Sequence, residues 1–122
     1  MAMRSGLELY DSRVSRIDLV DGVATIHFSH ACIYKSNAAW SREAELVLLD
    51  ATMPGPLPPL PNTISAGFLE VGGIRHELIP LPFKRKVAAR LYLQFVDGTE
   101  TEIIGEKPIL LLLSRPIHLE DY

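Results

Sequence analysis

The chain has 122 residues, 48% hydrophobic and 22% charged, with a formal net charge of −3. That balance describes one globular domain spanning residues 1–122 rather than a disordered or membrane-spanning chain, and it offers no basic face for nucleic acid. The single cysteine, Cys32, excludes an internal disulfide framework and fits a reducing, cytoplasmic setting.

The N-terminal residues MAMRSGLELYDSR contain no apolar run of signal-peptide length. The longest apolar run, Ile109 to Leu113, falls far short of the ~20 residues of a membrane helix. Leu7 to Tyr10 alternates and reads as an edge strand or lead-in. Ser12 to Tyr34 follows as a hairpin about Asp21-Gly22. A two-residue turn there sets Leu19 against Ala24, Ile17 against Ile26 and Ser15 against Phe28 on the apolar face. Lys35 to Arg42 breaks the pattern and is expected as a loop or one helical turn. Glu43 to Ala51 returns to a strand with Ala44, Leu46 and Leu48 inward, and Val47 and Leu49 on the other face.

Residues 53–62 hold five prolines in ten positions, too many for a ladder of backbone donors, so they form an extended connector. The core GPLPPLP resembles an SH3-domain ligand but lacks the flanking Arg or Lys such recognition wants, and a surface crossing is the preferred reading. Thr63 to Pro80 is a third hairpin about Gly72-Gly73, with Glu70 opposite Arg75 as a cross-strand ion pair. That register leaves Phe68 on the charged face, which requires a bulge in the strand or partial cover of both faces. Pro80 and Pro82 end the strand.

Val87 to Leu113 reads as three strands, the second and third parted by Gly105-Glu106-Lys107-Pro108. Between the first two, a tight Asp97-Gly98 turn would set Phe95 against Glu100. A three-residue Val96-Asp97-Gly98 loop closing with Gly98 in a left-handed bulge instead sets Phe95 with Thr99, Leu93 with Thr101 and Leu91 with Ile103, and separates apolar from charged. The second register is therefore expected. The sum is an all-β, antiparallel, hairpin-rich domain of eight to nine short strands, barrel-like or a two-sheet sandwich, with the barrel favoured.

The stretches Asp11-Ser12-Arg13, Leu78-Ile79-Pro80-Leu81-Pro82, Phe95-Val96-Asp97-Gly98 and His118-Leu119-Glu120-Asp121-Tyr122 together resemble small bacterial proteins of an uncharacterised all-β family. The resemblance implies a fold and a bacterial origin; it carries no catalytic residues.

Chemistry is sparse. His27, His30, Cys32 and His76 invite a metal reading, but strand alternation puts His30 and Cys32 on one face and His27 on the other, so no metal site is expected. Ser29 and His30 are adjacent, expected to diverge, and no G-x-S-x-G elbow exists. Gly72-Gly73 is not followed by the Lys-Ser or Lys-Thr of a phosphate loop. Glu100 and Glu102 share a wet face, and Lys84-Arg85-Lys86 reads as a solvated loop. No catalytic residue and no cofactor is expected. The leading expectation is a non-enzymatic cytosolic domain acting through protein–protein binding or self-association, as a homodimer. Leu110 and Leu112 are its interface candidates, because something must cover the apolar run: the connector, the C-terminal tail or, preferably, a second copy. The alternative is a small-molecule-binding barrel or minor enzyme with a site near His30, Cys32 and His76 at the barrel mouth.

Overall fold

The computed structural model describes residues 5–35, 38–113 and the backbone of 117–118. Its regular elements are all strands: β1 (Gly6–Val20), β2 (Val23–Lys35), β3 (Ala38–Thr52), β4 (Asn62–Val71), β5 (Ile74–His76), β6 (Leu78–Pro80), β7 (Ala88–Phe95), β8 (Glu100–Leu112) and β9 (Ile117–His118). Among these residues no helix is long and apolar enough to cross a membrane. Six antiparallel strands close into a barrel in the order β1-β2-β3-β8-β7-β4, with β4 returning to β1 through Arg13↔Thr63 and Val14↔Asn62. β5 extends β4, β6 flanks the first half of β1, and β9 pairs with β3.

The turns follow from their residues. Asp21 and Gly22 both have positive φ (52° and 76°), the requirement of a two-residue hairpin turn that matches strand twist. It sets Leu19 against Ala24 and Ile17 against Ile26. At the later hairpin Gly98 sits at φ 88°. Gly98 N donates to Phe95 O (2.9 Å) and Phe95 N to Thr99 O (2.8 Å), so the three-residue loop with the bulge is the one formed. Leu93↔Thr101 and Leu91↔Ile103 follow from it. The Thr99 hydroxyl (2.6 Å) and backbone N–H (3.0 Å) both donate to Asp97 Oδ1 and hold that carboxyl below its ordinary value. Glu70 lies opposite Arg75 across Gly72-Gly73, Nε to Oε2 at 3.0 Å. Phe68, on that same outer face, is covered by the Arg75 guanidinium at 4.3 Å, by Arg90 at 5.3 Å and by the Tyr92 ring at 5.5 Å. Cations and an aromatic ring, rather than a second sheet, shield it.

Several expectations give way. The barrel strands are not all short: β1 and β3 run 15 residues, β2 and β8 13. The Leu7–Tyr10 piece and the first hairpin arm are one strand with a bend at Asp11 (φ 70°). The Ser12 hydroxyl stitches that bend, donating to Glu8 O (2.6 Å) and accepting from Cys32 N (3.0 Å). The bend lets the first half of β1 pair with β6 and the second with β4. Val14, not Ser15, lies opposite Phe28; a buried valine fills space that serine would leave empty.

Lys35 to Arg42 is not a loop or helical turn over its described length, because β3 already begins at Ala38. The third hairpin breaks at Glu77. Only Ile74–His76 pairs with β4, and Leu78–Pro80 crosses to β1, where Leu9 N donates to Glu77 O (3.1 Å). Gly105–Pro108 is no turn either. β8 runs through it, shifting register against β3 at Lys107 (φ 52°). There it exchanges β7 for the Phe83–Arg85 segment, with Arg85 N donating to Pro108 O (3.1 Å) and Leu110 N to Phe83 O (3.0 Å).

The interior is continuous. Phe28, Leu46, Leu48, Ile64, Leu91 and Phe95 are essentially inaccessible, each stabilising the fold by about 1.5–3 kcal/mol.

Candidate functional site

Side chains alternate along a strand, so a barrel fixes which residues face its lumen. On β3 the buried Ala44, Leu46 and Leu48 point inward, and the same parity carries back through Arg42, Trp40 and Ala38. On β2 the buried Ala31 and Ile33 are inward, followed by Lys35. β2 and β3 pair as far as Lys35↔Ala38, and their inner faces line an open mouth of about 670 Å³. Ile33, Trp40, Leu110 and Leu112 form most of its wall, and Leu81-Pro82 and Ser5 complete the rim. Leu81, Leu112 and Trp40 pack back onto the core. Its charged groups are Arg42 and Lys35, and no carboxylate is among the described lining residues.

The residues expected at the mouth stand elsewhere. His30 and Cys32 lie on the outer side of β2, because the neighbouring Ala31 and Ile33 are the buried ones. His30 is exposed, and Cys32 is half-buried opposite Glu8 and Ser41. Burial raises the Cys32 thiol above its ordinary value against a lowering hydrogen bond with Ser12, with Asp11 and Glu8 raising it further. His76 meets the edge of Phe83, ring centroids 5.8 Å apart. None of the three lines the mouth.

A bulge between Phe28 and Ala31 changes two further expectations. It breaks alternation, so His27 shares the outer face with His30 and Cys32 instead of opposing them. It also lets Ser29 and His30 converge, Oγ to Nδ1 at 3.3 Å, where divergence was expected. His30 carries no carboxylate on its other ring nitrogen among the described residues, so the pair lacks the orienting partner of a hydrolytic triad. His27 is engaged on both nitrogens, by Asp18 at 3.0 Å and Glu45 at 2.8 Å. Among the described residues no group of three or more His, Cys, Asp or Glu is placed to hold a metal ion.

Leu110 and Leu112 face the mouth, and Ile109, Leu111 and Leu113 take the outside. Leu110 is flanked by the chain's own Phe83, a neighbour absent from the three expected covers. Trp40 and Arg42 were missed because they fall where the pattern appeared broken. The signal was present in the sequence: the even-numbered parity of Ala44, Leu46 and Leu48 continued upstream reaches both.

No family model, curated protein or solved structure matches the chain.

Proposed function

We propose that this domain binds a small, largely apolar molecule in the mouth of its barrel and does no chemistry on it. The mouth carries the reading. Its volume of about 670 Å³ falls within the roughly 300–1,000 Å³ of small-molecule sites, and an apolar wall with few polar groups is the usual composition of such sites. Trp40 is the only tryptophan of the chain and lines this wall, so its emission reports the mouth alone. The neutral dye Nile red should bind saturably, with energy transfer from Trp40. Leu112→Arg should weaken it by about tenfold at unchanged circular dichroism, the effect of placing a charge on an apolar wall. Saturable binding that Leu112→Arg leaves intact, or no binding at all, would refute the reading.

A second reading keeps the domain as a protein-binding or self-associating module, with the half-buried Cys32 in a reducing cytoplasm. It is supported by the outer side of β8, where Leu111 is 43% and Leu113 52% exposed, beside the half-buried Ile109 and its β3 partner Val47. A dimer at micromolar concentration, dissociated by Leu111→Lys in sedimentation velocity, would favour this reading; a wild-type monomer would remove its self-associating form.

A further inference from the structure

The mouth holds a positive charge without a counter-charge among the described residues. Arg42 lies on the inward parity of β3, half-buried, and its Nε is buried without a hydrogen-bond acceptor among the described residues. Three guanidinium groups on the outer faces meet carboxylates: Arg16 meets Asp18 at 2.9 Å, Arg75 meets Glu70 at 3.0 Å and Arg90 meets Glu102 at 2.8 Å. Arg85 donates to Lys84 O at 3.1 Å and lies over the Phe83 ring. Arg13, near the barrel seam, donates to Thr63 Oγ1 at 3.1 Å. Arg42 forms no such pair with a described residue. A buried donor left unmade is costly, and a guanidinium never loses its proton to escape that cost. Lys35, inward at the end of β2 and exposed, adds a second cation to a rim that no carboxylate joins among the described residues. The apolar wall of Trp40, Leu110 and Leu112 runs beside both.

We propose that the ligand of the mouth is an anionic amphiphile. Its carboxylate or phosphate head accepts from the Arg42 guanidinium, with Lys35 adding attraction at the rim, and its apolar body lies along Trp40, Leu110 and Leu112. This rests on the mouth being a ligand site, and adds the sign of the ligand's charge and the residue that reads it. A planar fork of donors matches either oxyanion head.

The test is a titration of Trp40 emission with decanoate, decyl phosphate and decanol, which share a chain and differ in the head. The wild type should bind at least one of the two anions about tenfold or more tighter than decanol, the scale of one charge-assisted hydrogen bond. Whichever anion binds more tightly identifies the head. Arg42→Gln should abolish the preference, and Arg42→Lys should keep part of it. The wild-type comparison stands even if a variant fails to fold. Decanol binding as tightly as both anions, or a preference that survives in folded Arg42→Gln, would overturn the charge assignment and leave the mouth as a neutral site. Failure of all three ligands together with Nile red would remove the mouth reading itself.

Discussion

Gly105→Ala tests a close approach between two barrel strands. At Gly105, opposite Ala89 of β7, β8 also presses against β3. A Cβ placed there would lie 2.9 Å from Leu48 Cβ, 2.9 Å from Leu49 O and 3.2 Å from Ala51 Cβ. One of these atoms is backbone and two are Cβ atoms, so no flexible side-chain end can swing aside. β3 and β8 must separate where Leu49↔Glu106 and Thr52↔Ile104 hold them together. Overpacking of this kind costs about 1–3 kcal/mol. Taking about 2 kcal/mol, and a urea dependence of about 2 kcal/mol per molar for a domain of this size, the unfolding midpoint should fall by about 1 M. Gly55→Ala is the control: it lies in the Pro-rich connector, where an added Cβ meets nothing within 4 Å, and its midpoint should hold or rise slightly. Equilibrium urea unfolding followed by circular dichroism reads both. A Gly105→Ala midpoint within about 0.2 M of wild type, at equal slope, would mean that β3 and β8 do not approach so closely.

Gly98→Val should lose more than about 1 kcal/mol, because a β-branched residue is strained at φ 88°, whereas Gly98→Asn should lose less; equal midpoints for the two variants would contradict the left-handed bulge. Cys32, its thiol raised by burial, should react with iodoacetamide at neutral pH more slowly than a small free thiol. The sign for stability is fixed. Above the ordinary thiol pKa the unfolded chain ionises first, so stability falls as pH rises through the alkaline range, and Cys32→Ala should remove that share of the fall. Labelling as fast as free cysteine would show the thiol to be unburied.

How far this architecture could be read from the sequence depends on the distance over which each feature is decided. Asp21-Gly22, Gly72-Gly73 and Asp97-Gly98 are local instructions, and the choice of the Gly98 bulge needed only the requirement that Leu93 and Leu91 meet Thr101 and Ile103 rather than waste their apolar faces on glutamates. The bulge at Ser29-His30 has no such mark, and without it His27 was assigned to the wrong side. Gly105-Pro108 carries turn residues but is spent on a kink and a change of partner, an outcome set by Leu48 and Phe83, both remote in sequence. Ala39 and Ser41, which alternate with Trp40 and Arg42, are too small to display a strand, which hid the residues now placed in the mouth. The choice of barrel over sandwich was favoured by strands apolar on both faces, but closure itself rests on Arg13 meeting Thr63, which no local pattern encodes.

That meeting has a consequence for how the molecule opens and forms. β1 and β2 are matched from Gly6↔Tyr34 to Val20↔Val23, whereas β1 and β4 share only Arg13↔Thr63 and Val14↔Asn62. Fluctuations that part the ring therefore start at this clasp, and amides around residues 13–14 and 62–63 exchange with solvent ahead of those deep in the β2–β3 ladder. The clasp also joins positions 50 apart in sequence, while the hairpins close over a few residues each. Local ribbons can form early, but the ring needs both this clasp and the still more remote β3–β8 pairing, Ala44 with Leu112, and such non-local pairings limit how quickly a barrel of this topology folds.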